Sequence, residues 1–392
     1  MLKNKFLHIL FILTMCSTLA AQETDIRVGA EQTERYLPSL RGKRVALVAN
    51  HSSLIGKVHL VDTLVKVQVR LKKIFCPEHG FRGNDEAGEF IKNHVDVKSG
   101  IPVVSLYGNT KKPTEKDLKG IDVVLFDMQD VGVRFYTYIS TMHYVMEACA
   151  EQDIPIIILD RPNPNGFYID GPVLDPACKS FVGLHPVPIV HGMTIAEFAQ
   201  MINGEKWLKD QVQCKLTIIP CLNYDHIKRY TLPVKPSPNL PNQQSIFLYP
   251  SLGLFEGTVV SVGRGTDFPF QIFGHPLLPD TGFSFIPIEK PGASKNPPCK
   301  DQKCFGTDLR NIDTDSITSL QRINIEWLIN VYTLFPDKNQ FFNSYFQNLA
   351  GNTELRKQIE SGLSADEIHS TWRKPLENFR EIRKKYLIYP DF

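Results

Sequence analysis

The chain has 392 residues, with 44 Lys and Arg against 42 Asp and Glu, a formal net charge of +2. That balance excludes a dedicated nucleic-acid binder, which carries a basic excess or stripe. The 25 Gly and 27 Pro are too few for a collagenous or low-complexity chain, and 42% hydrophobic with 22% charged residues is a globular composition, enough for two or three domains at about 150 residues each.

The first predicted element is a secretory leader over residues 1–21. Lys3 and Lys5 form its basic start, Phe6 to Met15 its apolar run, and Ser17-Thr18-Leu19-Ala20-Ala21 the small residues around cleavage. The run is shorter than the roughly 20 apolar residues of a membrane span, and no later segment is long and apolar enough to be one. The expectation is export to the periplasm or the extracellular space, with Cys16 the one point for a lipid anchor, although Met15 is bulky where a lipoprotein box wants a small residue. Losing the leader removes two lysines and Cys16, leaving 42 basic against 42 acidic residues and seven cysteines. Export permits disulfides, and Cys214 with Cys221 or Cys299 with Cys304 could close small loops. No Cys-x2-Cys spacing of the zinc type occurs, so mostly isolated buried thiols are expected.

Strands and helices then alternate. Arg44–Ala49, Leu71–Phe75, Val103–Tyr107, Asp122–Phe126, Ile154–Leu159 and Lys215–Pro220 read as strands. Helices are expected near His59–Lys66, Ser140–Gln152 and from Thr194 to about Gly204, the last opened by a capping box of Thr194 and Glu197. Continuous β-branched runs mean strands buried on both faces, hence an open, doubly wound α/β sheet. Pro233, Pro236, Pro238 and Pro241 mark a boundary or a rigid loop. Beyond it the texture is Gly- and aromatic-rich, then helical over Thr318–Phe335 and Glu354–Gly362, which reads as a smaller α+β domain. The predicted division is 22–245 and 246–392.

Ligands bind outside the carboxyl ends of strands in such sheets. Every predicted end of the first five strands is polar: Asn50-His51-Ser52, Glu78-His79, Tyr107-Gly108-Asn109, Asp127 to Arg134, and Asp160-Arg161-Pro162-Asn163. Dinucleotide and phosphate-loop fingerprints are missing, as are an H-E-x-x-H helix and a G-x-S-x-G elbow. What is left is a rim of acids (Glu78, Glu86, Glu89, Asp127, Asp130, Asp160, Glu256) interleaved with Phe81, Tyr107, Phe135, Tyr136 and Tyr138. Carboxylates suit general acid/base chemistry and aromatic faces suit sugar rings. Each acid could equally be a cap, a turn residue or a partner of Arg82, Arg134 or Arg161.

Several long motifs carry a resemblance. Pro77-Glu78-His79-Gly80-Phe81-Arg82-Gly83, Ala87-Gly88-Glu89, Ser105-Leu106-Tyr107-Gly108 and Asp127 through Tyr138 are similar to the NamZ-type exo-β-N-acetylmuramidases. So are Asp160-Arg161-Pro162-Asn163-Pro164, His191-Gly192-Met193-Thr194, Pro236 through Pro241, and Glu256-Gly257-Thr258 with Gly263-Arg264-Gly265-Thr266. Val259-Val260-Ser261 departs from the more polar stretch expected there. The resemblance implies a secreted glycoside hydrolase that removes N-acetylmuramic acid from the non-reducing end of peptidoglycan fragments. It implies a Rossmann-like N-terminal domain, a smaller C-terminal domain and a cleft between them, with no metal, nucleotide or other cofactor. Glu78 is then the expected general acid/base, with Asp130 or Glu89 in the second role unless the substrate's own 2-acetamido group attacks C1. Arg134 or Arg264 would pair with the lactyl carboxylate. Tyr136, Tyr138, Asn163 and His191 would contact the sugar, with Asn50, His79, Arg82, Tyr107, Asp127, Asp160, Arg161 and Glu256 as further substrate-binding candidates. The rivals are a periplasmic muropeptide or sugar-binding protein without hydrolytic activity, and an exported esterase or amidase, for which no elbow is present.

Overall fold

The computed structural model describes residues 25–77, 81–82, 93–108 and 110–392. Its centre is a seven-stranded sheet. In chain order the strands are β1 (Val45–Ala49), β2 (Leu71–Cys76), β3 (His94–Val95), β4 (Pro102–Ser105), β5 (Val123–Asp127), β6 (Ile156–Leu159) and β7 (Leu216–Ile219). They lie in the spatial order β3-β4-β2-β1-β5-β6-β7, parallel except for β3 at one edge. The order reverses between β1 and β5, whose residues pair from Val45–Val123 to Ala49–Asp127, and this switch point is where an open sheet offers its crevice.

Residues alternate across the sheet as the pleat requires. Val45, Leu47, Ile74, Val123, Leu125 and Ile157 point to one core, covered by α1 (Thr33–Leu40) and α2 (Leu60–Lys66). Ala46, Val48, Phe75, Val124, Phe126 and Ile158 point to the other, covered by α3 (Tyr138–Glu151) and α4 (Ile195–Gly204). That second core runs without interruption into the C-terminal part. There a three-stranded antiparallel sheet (β8, Ile272–His275; β9, Ser284–Phe285; β10, Cys304–Asp308) packs with a set of helices: α5 (Gln243–Leu252), α6 (Thr314–Ser319), α7 (Glu326–Leu334), α8 (Phe346–Ala350), α9 (Glu354–Glu360) and α10 (Ala365–Arg383). Helix α5 runs across the point where the sequence reading divides the chain.

Two of the differences from expectation lie in the C-terminal helices. The single helix foreseen over 318–335 is broken into α6 and α7. The backbone N–H of Ile323 is drawn to the Asp170 carboxylate (2.7 Å) and that of Asn324 to the Ser251 hydroxyl (2.9 Å), while the Asn324 side chain caps Glu326. These bonds take the N–H groups that a continuous helix would have used. The 19-residue α10 was not foreseen, although Ser364 and Glu367 form a capping box at its start. The seven described cysteines are free thiols, so neither loop-closing bridge is formed.

The two parts of the chain are joined through Arg134. Its side chain is fully buried. One terminal nitrogen donates to the carbonyls of Pro172 (2.7 Å) and Val187 (2.8 Å), the other to those of Leu349 and Ala350 (both 2.8 Å). The expected contact of Arg134 with a substrate carboxylate is therefore corrected: the guanidinium is spent inside the protein. Gly351 completes the seat, because a Cβ there would lie 2.4 Å from an Arg134 nitrogen. Removing the guanidinium strands four buried carbonyls, each costing about 1–3 kcal/mol if unpaired. Arg134→Met is expected to lower the urea-unfolding free energy by at least about 3 kcal/mol; a loss under about 1 kcal/mol would show that the clamp is dispensable.

Candidate active site

At the carboxyl edge of the sheet lies a cavity of about 590 Å³. Its walls come from both parts of the chain. Tyr107 and Gly108 follow β4, and Phe135, Tyr136, Thr137 and Tyr138 close the long segment between β5 and α3. The loop before α4 adds Ser180, Phe181 and Val182, the proline-rich segment adds Ser237, and Tyr249, Glu256, Arg264, Tyr345 and Leu349 complete the wall from the C-terminal side.

The tyrosines are set by mutual packing. Tyr136 and Tyr138 meet edge to face at 4.6 Å, and Tyr249 meets Phe135 at 5.2 Å and Phe270 at 4.9 Å in the same manner. The hydroxyls of Tyr136 and Tyr138 both reach the Pro236 carbonyl, at 2.8 and 3.4 Å, which docks the proline-rich loop. Tyr138 also accepts from the Asn50 amide at 2.7 Å, so the end of β1 supports the wall from behind. Glu256 and Arg264 form an ion pair at 2.7 Å on the cavity surface, with the guanidinium seated over the Phe270 ring at 5.2 Å.

Of the residues singled out by sequence, Tyr107, Tyr136, Tyr138, Glu256 and Arg264 are brought together on this wall. Others are frame. Asp127 and Arg161 make a fully enclosed two-pronged pair (2.6 and 2.9 Å), and Arg161 also holds the Leu54 carbonyl. Asp160 accepts from the Thr194 hydroxyl (2.8 Å), the Ala196 N–H (3.0 Å) and the hydroxyl of Tyr389, tying the C-terminal end to β6. Asn163 bridges Met193 and Asn165. His191 is buried, its Nδ1 accepting from Met193, and burial pushes its pKa down to about 3. Arg82 pairs with Asp96 (2.7 Å) and Asp62 (3.2 Å). For Asp127, Asp160, Arg161, Asn163 and His191 the sugar contact expected from sequence gives way to these internal bonds. The physical reason is common to all: a polar group at a buried strand end must be satisfied within the protein. Glu78, His79 and Glu89 lie outside the described residues.

Asp130 is a separate case. It is buried and is not among the residues lining the cavity. One oxygen accepts from the Gly132 N–H at 2.7 Å; the other has no hydrogen-bond partner among the described residues. Gly132 holds a φ of +75°, and a Cβ there would run into Asn163. Burial pushes the Asp130 carboxyl up to about 7, partly offset by the N–H groups of Gly132 and Val131. The Tyr136 phenol is likewise held well above its ordinary pKa, by burial first, then by Tyr138, with a smaller contribution from Asp130.

Sequence reasoning missed Lys111, Phe181, Tyr249 and Tyr345. The last two lie in segments read only as C-terminal texture, and nothing in their local spacing marks them.

An open α/β sheet joined to a second part, with an aromatic cavity bearing an acid at its carboxyl edge, defines an α/β protein with a cavity of small-ligand size. The comparisons are specific. Residues 45–244 match the family model described as exo-β-N-acetylmuramidase NamZ, N-terminal, and residues 247–389 the C-terminal model of the same name. The chain is 40% identical over 372 residues to the peptidoglycan β-N-acetylmuramidase NamZ of Bacillus subtilis strain 168, covering 90% of this chain and 89% of that one. Two crystal structures of DUF1343 family proteins from Bacteroides fragilis superpose on it. One has a TM-score of 0.88 and 47% identity, covering 94% of this chain and 100% of its own; the other has 0.80 and 29%, covering 93% and 99%. The chain belongs to the NamZ exo-β-N-acetylmuramidase family.

The unusual acidity of Asp130 has a consequence for stability. An unfolded Asp releases its proton near pH ~3.9, the folded one at about 7. Between those values the native state binds more protons, so this contribution is complete below the lower pKa and is lost as pH rises through the upper one. Asp130→Asn keeps the Gly132 bond and removes the titration. Its stability relative to the parent is expected to improve between about pH 5 and pH 8, by at most about 3 kcal/mol. A pH-independent difference in chemical denaturation would overturn the assignment.

Proposed function

We propose that this protein is an exported, exo-acting glycosidase that releases N-acetylmuramic acid from the non-reducing end of peptidoglycan fragments. Family membership supports the reaction class. The observation that carries the reading at the level of the site is the cavity: about 590 Å³, walled by tyrosines and carrying the Glu256–Arg264 pair. That volume falls within the range of small-ligand sites, roughly 300–1,000 Å³, and suits a short saccharide better than a long polymer lying in a groove. Tyrosine rings offer apolar faces with a polar edge, which matches the two sides of a pyranose.

The chemistry is addition of water across the glycosidic bond: the bond from C1 to the leaving oxygen breaks, that oxygen takes a proton, and hydroxide equivalent from water ends on C1. The reading assigns the proton transfer to Glu78, two positions beyond Cys76 in the sequence and outside the described residues. Asp130, enclosed behind the wall, fits a supporting role better than direct contact with the sugar. Export rests on the basic and apolar leader read in residues 1–21; among the described residues no helix is long and apolar enough to cross a membrane.

The test is incubation with a disaccharide bearing N-acetylmuramic acid at its non-reducing end. Free monosaccharide is the expected product, and return of intact disaccharide would favour a binding protein. Glu78→Gln is expected to lower turnover about a hundred- to ten-thousandfold; near-normal turnover would remove Glu78 from the mechanism while leaving the hydrolase reading in place.

A further inference from the structure

We infer that Lys111 is the specificity-determining cation of this cavity, reading a free carboxylate on the saccharide and so separating N-acetylmuramic acid with an unsubstituted lactyl group from residues whose lactyl group is amide-linked to a peptide. The inference rests on the functional reading above for the identity of the sugar, and on independent geometry for the residue.

An anionic ligand in a low-dielectric cavity needs a cation that is not already neutralised. Three basic side chains come into question. Arg134 is buried and gives its four terminal bonds to carbonyls. Arg264 is on the wall, paired with Glu256 at 2.7 Å. Lys111 is also on the wall, and its ammonium lies 4.3 Å from the centroid of the Phe181 ring, with no carboxylate paired to it among the described residues. A ring face holds an ammonium in place without cancelling its charge.

The surroundings look built to keep it there. Phe181 stacks on Tyr144 of α3, with centroids 6.2 Å apart and planes 12° from parallel. The next residue, Lys112, is pinned to the same helix by two ion pairs of 2.7 Å, to Glu147 and Glu151. The helix thus anchors both the chain beside Lys111 and the ring beneath it. The N-terminal end of α3 faces the same cavity through Thr137, whose side chain makes no capping bond, so the helix dipole adds to the favourable potential for an anion.

A lysine held this way forms a charge-assisted hydrogen bond with a carboxylate and a weaker, neutral one with a carboxamide. The test compares para-nitrophenyl β-glycosides of N-acetylmuramic acid and of its lactyl carboxamide, on the parent protein, Lys111→Met and Lys111→Arg. The parent is expected to prefer the acid. Lys111→Met should raise KM for the acid about ten- to a hundredfold with kcat little changed, and abolish the preference. Lys111→Arg should restore most of it. An unchanged acid-to-amide ratio in a folded Lys111→Met protein, its thermal midpoint matching the parent's, overturns the inference. If the parent cleaves neither glycoside, the glycosidase reading fails; titration calorimetry with free N-acetylmuramic acid then decides the inference alone. Weaker binding by Lys111→Met upholds it, and equal binding overturns it.

Discussion

The architecture depends on one buried guanidinium. A charge enclosed in protein is tolerated only when its hydrogen-bonding capacity is met by well-placed partners. Arg134 places its two terminal nitrogens on four carbonyls, two from segments near the sheet and two from the end of α8, leaving only its Nε without a partner among the described residues. The residues that follow it, Phe135 to Tyr138, form one wall of the cavity, and Leu349, whose carbonyl it holds, belongs to the facing side. Both walls are thereby referred to a single point. Their spacing is fixed by packing within the protein and not by the arrival of a ligand, which is the condition for a site that loses little entropy on binding.

The same economy governs the other polar residues at the strand ends. Asp127 with Arg161, Asp160 with Thr194 and Tyr389, and Asn163 with Met193 close their valences internally. Each holds a loop that leaves the sheet, and together they make the edge rigid. The cost is paid in charge: these groups are neutralised before a ligand sees them. Among the described residues, the cavity then presents a compensated Glu256–Arg264 pair and the ammonium of Lys111. On the proposed function, recognition of an anion would follow from placement rather than from an overall field, since residues 22–392 hold equal numbers of basic and acidic side chains.

The strands were legible because burial on both faces writes itself into composition: Val45–Ala49, Val123–Asp127 and Ile156–Leu159 are near-continuous apolar runs, and the structure buries every residue in them. The capping box at Thr194 and Glu197 was legible because its partners are three residues apart. The division of the polar rim into frame and wall was not. Asp127 finds Arg161 34 positions away, and Arg134 finds Leu349 215 positions away. Local spacing carries no record of such pairings, so a residue spent on a backbone carbonyl and one facing a ligand look alike in sequence.

The segment from Asp127 to Tyr138 shows why the distinction is hard to draw even within one motif. Asp127, Asp130 and Arg134 turn inward to an ion pair, a Gly132 N–H and the four carbonyls, while Tyr136 and Tyr138 turn to the cavity. Gly132 must be glycine both for its positive φ and for the Asn163 side chain against it. These six positions are thus constrained by different forces: desolvation of charge, backbone conformation, and ring packing. A long uninterrupted motif is what results when a frame and a wall are made from the same twelve residues. Lys111, which belongs to the wall alone and has no part in the frame, stands outside every motif by which the family was recognisable.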